Sequence, residues 1–421
     1  MALIYDVSFD STTRVLSLLD KAGNVISSCE VPSKELVDDI TKPLTFRATQ
    51  NGSTVSLKKN GLPSGSFQTS RDGGNTWSDY TIGASITLNT GDEVSFRAKA
   101  DRAPQNAGDY FQFNMTGKIE AWHNVMSLYR TNDFATYNTV VEYAFNYLFE
   151  GCTSLTKAPV LPATTLAYSC YKCMFYRCRS LTKAPELPAT TLTSNCYSYM
   201  FEGCQSLTKA PELPATTLND SCYYYMFEGC QSLTKAPELP ATTLAPDCYL
   251  GMFRGCQSLT KAPELPATTL AEYCYAGMFY GCQSLTKAPA LPATTLAQNC
   301  YSSMFSGCRS LTKAPELPAN TLAYSCYKDM FYGCQSLTKA PELPATTLTS
   351  NCYYDMFSGC RSLKEVRVSA TTESTNSLKE WLSGVSATGD FYCDPNATIF
   401  PTGRSGIPEG WTRHNIADYP N

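Results

Sequence analysis

Nine leucines, Leu155, Leu181, Leu207, Leu233, Leu259, Leu285, Leu311, Leu337 and Leu363, stand 26 residues apart without an insertion or deletion. A fixed period of this length is the mark of a stacked-repeat architecture, and it frames eight full units. Each reads, with few departures, S-L-T-K-A-P-E-L-P-A-T-T-L-x-x-x-C-Y-x-x-M-F-x-G-C-x. One unit carries too few apolar side chains to offset the ordering of its own backbone. Stacking on neighbours supplies the missing burial, so an elongated array with capped ends is expected.

The parts of the unit translate into local geometry. Leu155, Ala158 and Leu161 suit a short strand, and Pro159 and Pro162 remove backbone donors just beyond it, which predicts parallel strands of about four residues. Leu166, Cys170, Met174 and Cys178 recur every four residues, with Tyr171 and Phe175 beside them. That stripe predicts a short helix burying one face, with Thr165 as N-cap and a glycine such as Gly203 as C-cap. The expected fold class is an α/β repeat solenoid, 26-residue units of short parallel strands and short helices, preceded by all-β N-terminal modules.

Seventeen of the twenty cysteines fall in two ladders, one from Cys170 to Cys352 and one from Cys152 to Cys360. On a helix the two within one repeat would lie about 12 Å apart, beyond the reach of a disulfide, so the ladders are expected to be small buried thiols. The two histidines, His123 and His414, lie outside the array, which speaks against zinc. The single C-x-x-C, Cys170 to Cys173, is not repeated and reads as drift. No cofactor is implied.

A net charge of -4 gives no basic excess for nucleic acid, and no apolar run is long enough to span a bilayer. Asp6 and Asp10 fall where a signal peptide would need its apolar core, so no secretion signal is expected. The lysine ladder from Lys157 to Lys339 and the glutamates three residues further on read as a solvated face of offsetting charges. With no phosphate loop, metal spacing or carboxylate pair outside the repeat pattern, no enzyme is expected.

Variation is concentrated in the residues before the first cysteine and around Met-Phe. Tyr199, Tyr224, Tyr225, Tyr273, Tyr280, Tyr332 and Tyr354 appear there among Ser, Asn, Asp and Gly, a mixture like that of a paratope. These tyrosines are the candidate ligand-binding residues.

The ends differ from the array. Residues 1–42 read as a β-hairpin with a turn at Lys21 to Asn24, followed by a polar linker. Residues 43–116 read as a β-sandwich-like module, 117–154 as the N-terminal cap, 155–362 as the eight repeats and 363–421 as the C-terminal cap, with a helix in SLKEWLSGV. Ser70 to Trp77, SRDGGNTW, resembles the Asp-box turn of sialidase propellers, here a single hairpin staple.

L-x-x-A-x-x-L followed by C-Y-x-x-M-F-x-G-C-x-S-L resembles the BspA-like leucine-rich repeat over about Tyr147 to Val368, with three extra residues and two prolines per unit. That resemblance implies a cell-surface adhesin. The head, repeats and GIPEGWT tail together resemble leucine-rich repeat proteins encoded by gut anaerobes and their bacteriophages. The leading expectation is a non-enzymatic virion appendage, a fibre or decoration. Its N-terminal region would attach to other virion proteins, and its repeats would contact a host-surface glycan or protein. A homo-oligomer is compatible with it. A secreted or cell-surface bacterial adhesin and a ligand-free spacer are the alternatives.

Overall fold

The computed structural model describes residues 6–10, 15–30, 37–60, 66–101 and 108–419. The chain divides into two compact units, Met1–Asp39 and Ile40–Asn421. In the first, strands β1 (Asp6–Asp10), β2 (Val15–Leu19) and β3 (Val25–Glu30) form an antiparallel meander. The expected turn joins the last two. Asp20 accepts from the N–H groups of Ala22 and Asn24, and Gly23 takes a φ of 84°.

The second unit opens with β4 (Thr45–Ala48), β5 (Ser53–Asn60), β6 (Phe67–Ser70), β7 (Ser78–Tyr80), β8 (Ile86–Leu88), β9 (Glu93–Ala98), β10 (Tyr110–Thr116), β11 (Ile119–Trp122) and β12 (Leu155–Lys157). They make two open sheets, ordered β10-β5-β8 and β12-β11-β4-β9-β6-β7. Alternate residues of β5 and β10 turn inward, where Phe46, Phe96 and Phe113 meet edge to face at 4.7–5.6 Å. The SRDGGNTW turn staples β6 to β7. Asp72 accepts from the Thr76 N–H and hydroxyl, and the Trp77 indole donates to the Gly74 carbonyl at 2.9 Å. The larger sheet runs on past residue 116 through β11 into β12, the first strand of the array, so the sandwich and the repeats share one core.

The repeats contain no helix. Among the described residues the only helical segments are short 3₁₀ turns at Val125–Leu128 and Ile416–Asp418, so the expected α/β solenoid is corrected to a mostly β architecture of open sheets and stacked turns. Residues 194–203 show how the second half of a unit is built. Asn195, Tyr199 and Gly203 all take positive φ, 58°, 58° and 72°, so the chain leaves the right-handed helical region at every fourth residue. Backbone N–H groups then alternate between two partners. Those of Ser198, Met200, Glu202 and Cys204 close turns onto the residue three back, at 3.1–3.2 Å. Those of Tyr197, Tyr199, Phe201 and Gly203 donate to Cys222, Tyr224, Met226 and Glu228 of the next repeat, at 2.7–3.0 Å. A helix would spend all of these donors on itself and could not bind its neighbour. The expected caps therefore have nothing to cap: Gly203 is one of the left-handed residues, and Thr165 bridges Thr139.

The strands of the array are shorter than expected as well. After β12, neighbouring repeats meet at single bridges such as Lys157 to Lys183, Lys183 to Lys209 and Thr191 to Thr217, because the prolines interrupt any longer ladder. Inside, side chains of equivalent position stack in register. Phe149, Phe175 and their successors to Phe357 form one column at 5.4–5.8 Å. Phe145 leads a second column of Tyr171 through Tyr353 that ends on Trp381.

The array closes on a parallel sheet of β13 (Glu365–Arg367), β14 (Gly389–Cys393) and β15 (Trp411–Asn415). SLKEWLSGV forms another chain of turns there, with Asn376, Glu380 and Gly384 at positive φ, in place of the expected helix. The Trp381 and Trp411 indoles donate to the Gly406 and Ser386 carbonyls, which fastens the GIPEGWT tail.

Candidate functional site

The turn chain sorts its side chains in pairs. Cys196 and Tyr197 point inward, Tyr199 is half-exposed, Met200 and Phe201 point inward, and Glu202 and Gly203 are half-exposed. The outward residues of successive repeats therefore line up as columns one rung apart, and the residue types that vary in sequence are the ones in these columns.

The left-handed geometry accounts for part of that variation. Position by position the positive-φ residues are mostly Ser, Asn, Asp and Gly: Ser169, Asn195, Ser221, Asp247, Asn299, Ser325 and Asn351 in one column, Gly251, Gly277, Ser303, Asp329 and Asp355 in the next. Short polar residues and glycine tolerate that region best. The small residues that resemble a paratope in composition are thus selected by the backbone, and the tyrosines remain to be explained.

Those tyrosines fall in two groups and two isolated positions. Tyr199, Tyr224 and Tyr225 touch one another, the 199–225 pair stacked at 5.7 Å and Tyr224 edge-on to both at 5.2 and 4.5 Å. The Tyr225 ring lies over Gly251, where an added Cβ would come within 2.2 Å of it. Tyr280 and Tyr332, 39% and 48% exposed, flank a groove of about 360 Å³. Tyr273 stands apart at positive φ, and Tyr354 sits between the Lys328 and Lys379 ammonium groups, 5.1 and 5.3 Å from its ring.

Charges link the two groups. Glu228 pairs with Arg254 at 3.4 Å, and the Arg254 guanidinium also lies 4.4 Å from the Tyr280 ring. Burial, with Glu228 alongside, pushes the Glu202 carboxyl up to about 7. These residues, and Gln283, Arg309, Gln335 and Arg361 on the groove rim, escape a sequence reading directed at tyrosines. Their signal is the replacement of the usual glutamine by arginine at 309 and 361.

A larger groove, about 810 Å³, lies elsewhere, on the K-A-P-E-L-P segments around Lys313 and Lys339. Two of its charges are already matched: Lys339 meets Glu365 at 2.8 Å and Arg367 meets Glu342 at 3.2 Å. Tyr419 covers its end, beneath Lys339 and Arg367. Being built of residues present in nearly every repeat, it offers less to tell one ligand from another.

The cysteine ladders are structural. The nineteen cysteines from Cys152 to Cys393 are free and buried. The second ladder does more than fill space: each thiol from Cys178 to Cys360 donates to a phenylalanine carbonyl of an earlier repeat, as Cys256 does to Phe227 at 3.1 Å. Burial pushes the Cys222 and Cys274 thiols up to about 12, which removes the reactive thiolate. Among the described residues no cluster of His, Cys, Asp or Glu is arranged to hold a metal ion, and no helix is long and apolar enough to cross a membrane.

Comparison with known proteins agrees with the repeat. The BspA type leucine rich repeat region matches in six copies over residues 131–260 and 249–378. A crystal structure of a leucine-rich repeat protein from Eubacterium ventriosum is similar at 16% identity and a TM-score of 0.33, over 73% of this chain and 91% of that one. No curated protein matches. The repeat match extends over more than half of the chain, and the protein belongs to the BspA-type leucine-rich repeat family.

Proposed function

We propose that this chain is a non-enzymatic binding protein acting at the bacterial surface or outside the cell, an adhesin whose stacked repeats hold a varied row of turn residues against a partner. One observation carries the reading: within each repeat the interior and the proline-rich face recur almost unchanged, while the outward turn columns change from rung to rung and gather exposed tyrosines. Aromatic rings on a rigid frame, with polar groups beside them, are the equipment of recognition. The family match supports this reading over the virion appendage that the head and tail resemblance implies.

Labelled full-length protein is expected to bind components of host or microbial surfaces, tested on arrays of glycans and extracellular proteins. Replacing Tyr224 and Tyr225 together by Ser should weaken that binding about tenfold or more, with the circular dichroism spectrum unchanged. Undiminished binding would remove this cluster from the site. Failure to bind any surface component would leave a ligand-free spacer.

A further inference from the structure

The groove between Tyr280 and Tyr332 carries an alternation that the rest of the array lacks. Along the column that follows Met-Phe the residues are Tyr280, Ser306, Tyr332 and Ser358; along the column that follows the second cysteine they are Gln283, Arg309, Gln335 and Arg361. Tyrosine rungs thus carry glutamine and serine rungs carry arginine, twice over. At the same places upstream stand Tyr176, Glu202, Glu228 and Arg254, with Arg179, Gln205, Gln231 and Gln257, which do not alternate.

The geometry turns this pattern into a ruler. Neighbouring rungs here are spaced as the interior rings are, 5.7 Å for both Phe279 to Phe305 and Phe305 to Phe331. Equivalent groups two rungs apart therefore repeat at about 11 Å, the stacking distance of the array taken twice. Ser306 puts a small, buried side chain between the two exposed rings, and the groove floor is bare backbone. At Gly307, with a φ of 73°, the nearest atoms to an added Cβ would be the Gly281 backbone at 3.6 Å. No carboxylate lines the groove. Unlike Arg254, which is held by Glu228, Arg309 and Arg361 meet no carboxylate among the described residues. Two free guanidinium groups, in a chain of net charge -4, mark this stretch for an anion.

We propose, on the basis of the binding reading above, that the groove holds an acidic polysaccharide with one acid group on every second sugar. The polymer would lie along the stacking direction, with alternate rings resting on Tyr280 and Tyr332 and the acid groups meeting Arg309 and Arg361. Two linked hexose rings span a step of this length; the C–H face of a pyranose chair packs on a tyrosine ring, and a guanidinium meets the acid group. Arg254 supports the back of Tyr280 and keeps its ring in place.

Hyaluronan oligosaccharides, which alternate a uronic acid with a neutral sugar, are the test probe, with full-length protein and calorimetric titration. Binding is expected to fall about tenfold or more on Tyr280→Ser, Tyr332→Ser or the double substitution Arg309→Gln with Arg361→Gln, and to weaken as salt rises. The neutral chitin oligosaccharide of equal length should bind at least about tenfold more weakly. A register control, Gln335→Arg combined with Arg361→Gln, keeps the charge and breaks the two-rung spacing, and it should lose affinity as well.

Equal binding of the chitin oligosaccharide, equal binding of polygalacturonate with an acid on every ring, or an unaffected register control would each overturn the proposal. So would absence of hyaluronan binding. If a surface component is still captured through Tyr224 and Tyr225 in that case, the adhesin reading stands and only this groove assignment falls; if nothing is captured, both fall.

Discussion

Two buried polar side chains of the array, Cys256 and Tyr249, have opposite energetic roles. The Cys256 thiol donates a hydrogen bond to the Phe227 carbonyl, which also accepts the Cys230 N–H, so the thiol engages a second lone pair that would otherwise be unused. The Tyr249 hydroxyl is buried with no partner. Losing a bonded group and losing an unbonded one should differ in sign. Cys256→Ala is expected to destabilise by about 1–2 kcal/mol and Tyr249→Phe to stabilise by about 1 kcal/mol, read from denaturant midpoints. A tyrosine-to-phenylalanine change that destabilises would mean that the hydroxyl has a partner. That cysteine belongs in the core was readable from its spacing; that half of the thiols serve as donors was not, because the accepting carbonyl lies 29 residues away in the chain.

At the scale of the element, the turn chain depends on residues that accept positive φ. Gly255 holds the third such position of its rung at 71°, where most rungs have glycine, but Arg177 occupies it in the first full repeat at 58°. An L side chain in that region costs about 1–2 kcal/mol. Arg177→Gly is therefore expected to raise stability by about 1 kcal/mol and Gly255→Ala to lower it by a similar amount, measured by thermal and chemical unfolding. The helix expectation failed at this scale for a reason visible afterwards in the sequence. An α-helix advances 100° per residue, so a stripe kept strictly every four residues drifts by about 40° at each step and by about 120° from Leu166 to Cys178. A stripe that never corrects for the drift, with Cys-Tyr and Met-Phe as buried pairs and Ser, Asn, Asp or Gly at fixed points between them, belongs to a chain of four-residue turns.

At the scale of the whole molecule, every rung must present its donors to the carbonyls of the next, and that requirement explains a 26-residue period held without exception from Leu155 to Leu363. Deleting one complete repeat, residues 181–206, should preserve this register and leave a cooperatively folded protein with a slightly lower melting temperature. Deleting Ser198 alone should cost several kcal/mol, since the later residues of that rung would slip by one place in the four-residue pattern, turning one of each buried pair outward and taking the N–H groups out of register with the next rung. Comparable melting temperatures for the two deletions would contradict register as the source of the constant period.

The sequence by itself determined the repeat, the buried identity of the Cys, Tyr, Met, Phe and Leu positions, the β-rich head and the columns in which variation is allowed, because each of these follows from a period and a hydrophobic pattern. The tertiary structure decided whether the second half of the unit is a helix or a ladder of turns, which tyrosines meet, and that Arg309 and Arg361 stand free beside Tyr280 and Tyr332. Those outcomes depend on hydrogen bonds and contacts between residues about 26 positions apart, and a local pattern carries no information about a partner until the neighbouring repeat is in place.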